Sequence, residues 1–319
     1  MAGSILVIRG GAIGDFLLTL PALGLLREAF PESRIEIMGY RHIVSLAEGR
    51  HYADASRSIE YGPMAAFFVP GGELAPDLIE YFSGFSQVVS YLYDPEGFFE
   101  ANLRRAGVRN LLCAYERLHD GEHAAVQLAR PLQRLALFLE DRAPRVHLSA
   151  ADRSFADAFL VGAGSWLALH PGSGSVRKNW PLDRWVSVVS GLVDRSPDAR
   201  LLVVGGEADG GQLRALERTF GKRMLLAENL PLPQLGAVLA RCRLFLGHDS
   251  GISHLAGAVG AAAVLIFGPT DPVVWAPANA DVRVLEAPLH NLALLSAGEV
   301  LEAAWAAWCE RAAGGDEGA

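Results

Sequence analysis

The chain repeats a short apolar segment, a glycine turn and a segment of helical periodicity, and this repeat constrains the fold more than any other feature. The first copy, SILVIRGGAIGDFLLTLPALGLLREAF at residues 4–30, predicts a buried strand followed by a helix. Apolar runs at 34–40 and 87–93 predict two more short strands, with enough chain between them for crossover helices. Strands joined in this way run parallel, so we expect a parallel sheet.

The same pattern restarts near residue 166, with WLALHPGSGS as strand and turn and LDRWVSVVSGLVDR as helix. Two doubly wound α/β domains are therefore expected, at 1–150 and 151–319, with a connecting helix in SAADRSFADAF near their boundary. The last helix, about 297–313, is expected to pack back on the N-terminal domain.

Composition excludes a nucleic-acid module. Apolar residues make up 51% of the 319 residues and charged residues 20%, which is typical of an ordered globular protein. Residues 1–150 and residues 151–319 each carry 14 basic and 18 acidic side chains, so neither half has the expected basic surface.

The cysteines and the apolar runs bear on the compartment. Cys113, Cys242 and Cys309 lack C-x-x-C spacing, so the sequence predicts neither a disulfide framework nor a zinc knuckle, and we expect a cytoplasmic protein. The apolar runs at 4–8 and 255–268 are too short for a signal peptide or a membrane span. Any membrane contact is expected to be peripheral, at the cytoplasmic face of the inner membrane.

The stretch LGHDSGISHLAG, residues 246–257, contains the residue types of a hydrolase site in His248, Asp249, Ser250 and His254. A serine hydrolase elbow requires G-x-S-x-G, however, and triad residues normally come from separate elements. The pattern instead indicates a strand end and a helix start, whose free backbone amides bind an anion without any nucleophile. No role is assigned to His248.

The turn GGAIGD, residues 10–15, resembles the dinucleotide fingerprint G-x-G-x-x-G, and Glu36 lies near the position of a ribose-binding acid. Arg9 stands where the first glycine would be, which weakens that interpretation. Asp15 falls in the first turn of the predicted helix, where the helix dipole stabilises a carboxylate. It is either a simple capping residue or a functional acid.

The turn HPGSGSVRKNWP, residues 170–181, also follows a predicted strand and contains Lys178, one of two lysines among 28 basic residues. A lysine beside small residues indicates a phosphate ligand, with a solvated lysine as the alternative. Glu207 follows a third strand, at the edge where open α/β sheets bind ligands, and is either a ribose ligand or a solvated residue. These turns and the HDSG turn are expected to converge on one nucleotide diphosphate.

Together, five motifs resemble glycosyltransferase family 9, the ADP-heptose:lipopolysaccharide heptosyltransferases. In family order they are GAIGDFLLTLPAL, LHPGSGSVRKNWP, LLVVGGEAD, LFLGHDSGISHLAGAVG and IFGPTDP. The resemblance implies the GT-B fold, with two facing Rossmann-like domains and the active site in the cleft between them. It also implies inverting transfer of a heptose or related sugar from an ADP-activated donor to a lipopolysaccharide core or similar saccharide.

The resemblance further implies residue roles. Asp15 is the implied general base, since a positioned carboxylate can deprotonate the acceptor hydroxyl. The implied donor ligands are Ser173, Gly174, Ser175 and Lys178 for the phosphates, Glu207 for the ribose, Leu230 for the adenine, Asp249 for the sugar hydroxyls, and Ser250, Gly251 and His254 for the diphosphate end.

The acceptor side is less constrained by the sequence. An anionic, lipid-linked sugar would suit four N-terminal arginines, for which a solvated basic face is the alternative; they are Arg9, Arg57, Arg104 and Arg105. The phenylalanine pairs at 67–68 and 98–99 suit either a membrane surface or the core.

No metal and no cofactor is expected, because the chain has no D-x-D pair to hold a cation against a diphosphate. Two other functions stay open: a nicotinamide-dependent oxidoreductase that uses GGAIGD and Glu36, and a non-catalytic protein that binds a nucleotide sugar.

Overall fold

A computed structural model of the chain describes residues 3–162, 164–206 and 209–313. The chain divides into two compact units, Met1–Arg142 and Ala143–Ala319, called unit 1 and unit 2 below. Each unit has its own parallel sheet and its own helices, as the repeated strand–turn–helix pattern predicts.

Unit 1 contains a five-stranded parallel sheet in the order β3-β2-β1-β4-β5. Its strands are β1 (Ser4–Arg9), β2 (Arg34–Gly39), β3 (Ala55–Ser58), β4 (Gln87–Ser90) and β5 (Leu111–Cys113). Its helices are α1 (Ile13–Ala29), α2 (Arg41–Val44), α3 (Pro76–Ser83), α4 (Phe98–Arg105) and α5 (Ala124–Ala129), with 3₁₀ segments at Gly62–Phe68 and Arg130–Leu135. The consecutive residues Leu6, Val7 and Ile8 are all fully buried, so both faces of β1 are covered, as is typical of a parallel sheet.

Unit 2 contains a six-stranded parallel sheet in the order β11-β10-β9-β6-β7-β8. Its strands are β6 (Ser165–Leu169), β7 (Ala199–Gly205), β8 (Met224–Glu228), β9 (Leu244–His248), β10 (Ala263–Phe267) and β11 (Val282–Glu286). Its helices are α6 (Ala150–Phe159), α7 (Leu182–Arg195), α8 (Gly210–Phe220), α9 (Leu232–Ala240), α10 (Gly251–Ala258), α11 (Pro272–Trp275) and α12 (Ala297–Ala313). Helix α7 buries Trp185, Val188, Val189 and Leu192, the spacing of one helical face.

In each sheet the strand order reverses direction once, because later strands pair on the other side of the first strand. In unit 1, β4 pairs with the side of β1 that β2 leaves open, and in unit 2, β9 pairs with the side of β6 that β7 leaves open. The loops that follow β1 and β4, and those that follow β6 and β9, therefore diverge and leave a crevice at the carboxyl edge of the sheet. Open α/β sheets bind their ligands in such crevices.

Unit 2 begins at Ala143, whereas the sequence predicts a domain boundary at 150/151. Val146 N–H donates to Ala258 O at 2.8 Å, and Asn279 Nδ2 donates to Pro144 O at 2.9 Å. Helix α6, which we expected to connect the domains, packs on α9 of unit 2. The segment from residue 143 onwards thus belongs to unit 2 because its backbone bonds are made there.

Helix α12 was expected to pack back on the N-terminal domain. Its buried residues Val300, Ala304 and Trp308 belong to the core of unit 2, and their spacing of four places them on one helical face.

Within residues 3–162, 164–206 and 209–313, no helix is both long and apolar enough to cross a membrane.

Candidate functional site

His248, the last residue of β9, forms hydrogen bonds with the loop that follows β6, residues 170–181. Its Nε2 accepts the backbone N–H of Trp180 at 2.7 Å and the indole N–H of Trp185 at 3.3 Å, while Nδ1 lies 3.3 Å from Gly172 O. Because Nε2 accepts, the ring proton is assigned to Nδ1, which donates to Gly172. Burial lowers the pKa of His248 to about 3, so the ring is neutral. One imidazole therefore holds both ends of this loop.

Lys178 and Asp249, which lie 71 positions apart in the sequence, form an ion pair at the crevice between β6 and β9. Lys178 Nζ is 2.6 Å from Asp249 Oδ2, and Thr270 Oγ1 donates to the same oxygen at 2.8 Å. Asp249 is buried, while Lys178 keeps about a third of its side chain exposed. Asp249 Oδ1 accepts no hydrogen bond from any residue in the described part of the chain. The structure thus brings the predicted phosphate ligand and the predicted sugar ligand together.

The hydroxyls of the predicted phosphate ligands Ser173 and Ser175 shape the loop that carries Lys178. Ser173 Oγ accepts from Ser175 N–H at 3.3 Å, and Ser175 Oγ accepts from Arg177 N–H at 3.4 Å. Gly174 is exposed, and a Cβ built on it would meet no atom within 4 Å. The two serines therefore act first as turn residues.

The helix that follows β9 begins where the sequence predicts a helix start. Ser250 is the N-cap of α10, and its Oγ accepts from Ser253 N–H at 3.3 Å. Gly251 opens the helix and His254 is buried in its first turn. The amides of Gly251 and Ile252 precede the first intrahelical hydrogen bonds, so this turn carries the positive end of the helix dipole.

A serine, a histidine and an aspartate do come together here, from three different loops. His170 Nδ1 lies 3.3 Å from Ser250 Oγ, and His170 Nε2 lies 3.7 Å from Asp209 Oδ2. The nearby His170 ring, together with the hydrogen bond from Gly206 N–H, holds the pKa of Asp209 below its usual range. Because Ser250 is a buried helix cap, this network serves to join the loops after β6, β7 and β9.

The predicted nucleoside end of the site lies at the same edge of the sheet. Leu230 follows β8 and is half-buried. The preceding Asn229 has a φ of 52°, and its N–H donates to Gly205 O at the end of β7 at 3.1 Å. Glu207, the predicted ribose ligand, lies outside the described residues.

In unit 1, Asp15 is both a capping residue and an available acid. Its Oδ2 accepts from Ala12 N–H at 2.9 Å, while Arg9 approaches Oδ1 only to 3.9 Å. Its backbone oxygen accepts from Thr19 Oγ1 at 2.7 Å and from Arg9 at 3.1 Å. Gly11 has a φ of 95°, and a Cβ there would lie 2.8 Å from Asp15 Oδ2, so the turn requires a glycine. Capping uses one carboxylate oxygen, and 38% of the Asp15 side chain is exposed.

The four arginines proposed for an anionic acceptor are not brought together. Arg9 ends β1 and Arg57 lies in β3 beside the carboxyl edge, where its guanidinium covers the ring of Tyr81 at 4.2 Å. Arg104 and Arg105 end α4, which in a parallel sheet returns to the opposite edge before the next strand. They therefore do not form one basic surface.

Glu36 does not occupy the place of a ribose-binding acid. It is the third residue of β2 rather than the residue after the strand, and it is buried. Its carboxylate accepts from the Tyr81 hydroxyl at 2.6 Å and pairs with Arg34 at 3.3 Å. The nicotinamide alternative therefore loses the acid on which it depended.

The phenylalanine pairs are mainly part of the core. Phe67 and Phe99 are buried in unit 1, and the exposed Phe68 stacks on Phe99 with ring centroids 4.8 Å apart.

Four residues of the site in unit 2 were not singled out from the sequence. His170, Asp209 and Thr270 each follow a strand, so a search for polar residues after predicted strands would have found them. Gly172 has no local signal that distinguishes it from Gly174, because the neighbour that restricts it is Asp209, from another loop.

Sequence comparisons identify related proteins. Residues 105–304 match the model of glycosyltransferase family 9 (heptosyltransferase). Lipopolysaccharide heptosyltransferase 1 of Escherichia coli K12 is 26% identical over 192 residues, 59% of this chain and 59% of that protein. Lipopolysaccharide heptosyltransferase 3 of the same strain is 30% identical over 115 residues, 35% of this chain and 33% of that protein. The matched regions thus span less than two thirds of these relatives.

Solved structures share the fold over almost the whole chain. A family 9 glycosyltransferase from Veillonella parvula aligns with a TM-score of 0.79 at 20% identity, covering 97% of both chains. The E. coli heptosyltransferase WaaC with ADP aligns with a TM-score of 0.74 at 17% identity, covering 95% of this chain and 99% of that one. These similarities confirm the predicted fold, α/β with two Rossmann-like domains. Because the family model covers well over half of the sequence, the chain belongs to glycosyltransferase family 9 (heptosyltransferase).

Proposed function

We propose that this protein is an inverting glycosyltransferase that moves a heptose or related sugar from an ADP-activated donor to a saccharide acceptor, such as a lipopolysaccharide core. The setting we propose is the cytoplasm, with at most peripheral contact with the inner membrane. Family membership supports the reaction class. The ADP in the WaaC structure supports the choice of nucleotide.

The observation that carries the proposal is the pairing of Lys178 with Asp249 at the reversal point of the second sheet. Asp249 Oδ2 holds the Lys178 ammonium at 2.6 Å, and Oδ1 is left to accept a hydroxyl of the transferred sugar. The first turn of α10 adds backbone amides at the same edge. This combination suits a molecule with a diphosphate joined to a sugar.

The same groups suit the chemistry of transfer. As the glycosidic bond breaks, negative charge grows on the departing ADP, and preorganised donors stabilise that charge. Lys178 and the α10 amides would supply this stabilisation, so we propose that no metal is needed. Transfer that stops in EDTA and returns with magnesium or manganese would contradict this part of the proposal.

Asp15 is proposed as the general base. With Oδ2 engaged by Ala12 N–H, Oδ1 of this partly exposed side chain can take the proton of the attacking acceptor hydroxyl. The hydroxyl oxygen then bonds to the anomeric carbon while ADP leaves from the opposite face, which inverts that carbon.

The substitution Asp15→Asn separates capping from catalysis. The amide oxygen of asparagine still accepts from Ala12 N–H, so we expect nearly unchanged thermal stability and ADP affinity. Transfer from ADP-heptose should fall by at least about 10²-fold, because an amide is not a base. The measurements are product formation, calorimetric ADP binding with UDP and GDP as controls, and a melting curve.

Other outcomes distinguish the remaining functions. An Asp15→Asn protein that still transfers sugar would show that Asp15 only caps α1. Tight ADP-heptose binding by the wild type without any product would favour a non-catalytic binding protein. A fluorescence response to NADH would revive the nicotinamide alternative.

A further inference from the structure

Unit 1 has a cavity of about 130 Å³ at the carboxyl ends of β4 and β5. Leu92, Phe99 and Leu103 contribute apolar walls, and the polar lining includes Asp94 and Glu100. We call it the β4–β5 pocket. Its mixed lining and small size suit one small polar ligand with an apolar face.

Two tyrosines line this pocket and are exposed to solvent. Tyr93 is 67% exposed and Tyr115 is 42% exposed, and their ring centroids lie 5.0 Å apart. Exposed aromatic rings beside a cavity leave apolar faces in water, which a ligand can cover. The C–H face of a pyranose ring is flat and apolar enough to pack on such rings.

The polar lining is acidic and already well ordered. Asp94 accepts from the backbone N–H groups of Phe99 and Glu100 at 3.1 Å and 2.8 Å, which fixes its carboxylate at the start of α4. Glu100 Oε1 accepts from Arg104 at 3.0 Å, and Oε2 accepts from the Cys113 thiol at 3.4 Å. Two carboxylates in fixed positions can accept hydrogen bonds from ligand hydroxyls.

The charge of the lining selects against anions. Among the described residues that line the pocket are two carboxylates but no lysine, arginine or histidine. Arg104 pairs with Glu100 but is not one of the residues that line the pocket. A phosphate or carboxylate group here would face like charges, which costs free energy in a partly desolvated site. A hydroxyl-rich uncharged ring meets no such cost.

The pocket adjoins the turn that holds Asp15. Strand β4 is the neighbour of β1 in the sheet, and a Cβ on Gly10 would come within 3.1 Å of Leu92 in the pocket wall. The proposed base and the β4–β5 pocket therefore lie at the same edge of the sheet. The base follows β1 and the pocket follows β4, and the strand order reverses between these two strands.

We infer that the β4–β5 pocket binds an uncharged pyranose ring of the saccharide acceptor, with Tyr93 and Tyr115 against the ring and Asp94 and Glu100 on its hydroxyls. Its identification as the acceptor site rests on the proposed function. The four arginines had suggested an anionic acceptor sugar, whereas the lining of the β4–β5 pocket favours an uncharged acceptor sugar.

The test measures saccharide binding to the full chain by saturation-transfer NMR, without any nucleotide sugar. The probes are methyl glycosides of glucose, galactose and mannose, each compared with its 6-phosphate. We expect at least one glycoside to bind with a Kd in the range of about 1–10 mM and its phosphate to bind at least about tenfold more weakly. Tyr93→Ala and Tyr115→Ala should each weaken glycoside binding at least about threefold.

The matched control is Phe30→Ala, which removes an exposed aromatic ring at the other edge of the same sheet and should leave binding unchanged. Bound glycoside should also slow alkylation of Cys113 but not that of Cys309, which is exposed in unit 2. Burial and Glu100 raise the pKa of Cys113 to about 11, so the alkylation is run at alkaline pH.

The inference is overturned if no glycoside binds, if a phosphate binds as well as its glycoside, or if both tyrosine variants bind like the wild type. Transfer from ADP-heptose is assayed separately. Glycoside binding without transfer would leave this inference standing and refute the proposed function. Transfer to a saccharide that does not slow the alkylation of Cys113 would support the proposed function and refute this inference.

Discussion

At the scale of single residues, Asp209 decides which glycine of the loop after β6 can carry a side chain. A Cβ on Gly172 would lie 1.9 Å from Asp209 Oδ1, whereas a Cβ on Gly174 would meet nothing within 4 Å. The Asp209 carboxylate has little freedom to move, because Gly206 N–H donates to it at 2.9 Å and His170 lies at 3.7 Å. Gly172 is thus required by its neighbour and Gly174 is not.

We therefore expect Gly172→Ala to destabilise the protein by about 1–3 kcal/mol, since the loop or Asp209 must shift to make room for the methyl group. It should also weaken ADP binding, because the displaced loop carries Lys178. Gly174→Ala is the matched control and should change stability by less than about 0.5 kcal/mol. Urea unfolding and calorimetric ADP titration measure both effects. Equal effects of the two substitutions would contradict the role assigned to Asp209.

At the scale of secondary-structure elements, strand β9 positions the loop after its neighbour β6. The strand ends in His248, whose ring bonds Gly172 on one side and Trp180 on the other. The next residue along the chain, Asp249, holds Lys178 of that loop. Two consecutive residues thus fix the loop, one through a neutral ring and one through a charge.

Because the folded His248 is neutral, we expect the stability of the protein to depend on pH. The unfolded histidine takes up a proton near pH 6.5, whereas burial lowers the pKa of the folded one to about 3. Below pH 6.5 the unfolded state therefore binds more protons, and stability falls as the pH falls. From pH 7 to pH 5, we expect the free energy of unfolding to fall by about 2 kcal/mol more in the wild type than in His248→Asn.

Urea unfolding at both pH values measures this difference. His248→Asn itself should be destabilised at pH 7, because the N–H of Trp180 loses its acceptor. The control is His290→Asn, since His290 is exposed and its φ of 55° is one that asparagine tolerates. A wild type and a His248→Asn variant with parallel pH profiles would show that His248 does not cause the effect.

At the scale of the whole molecule, the aromatic residues divide between the units. All six tryptophans lie between residues 166 and 308, in unit 2, and all seven tyrosines lie between residues 40 and 115, in unit 1. Tryptophan fluorescence therefore follows unit 2, and tyrosine signals follow unit 1.

If the nucleotide binds unit 2, ADP should stabilise the transition that tryptophan reports. At 100 times its Kd, the expected gain is about 2.7 kcal/mol. Lys178→Gln should remove most of this gain at the same ADP concentration, whereas Lys222→Gln, which changes the only other lysine, should keep it. A gain reported by tyrosine alone would contradict a donor site in unit 2.

Much of this molecule was predictable from local sequence patterns. Apolar runs, glycine turns and helical spacing predict the parallel sheets, because each pattern reflects the burial of a short segment. Polar residues after strands predict a ligand edge, and Lys178, Ser250 and Asp249 all lie there. The capping role of Asp15 was also predictable, since it depends on a residue only three positions away.

The rest was decided by tertiary structure, since it depends on which distant segments become neighbours. The order of strands places β9 beside β6, and only this order joins Lys178 to Asp249 across 71 residues. The same pairing gives His248 its partners and makes Gly172, rather than Gly174, the restricted glycine. Local periodicity records whether a side chain is buried, but its partners follow from sheet order and register, which no short segment of the sequence encodes.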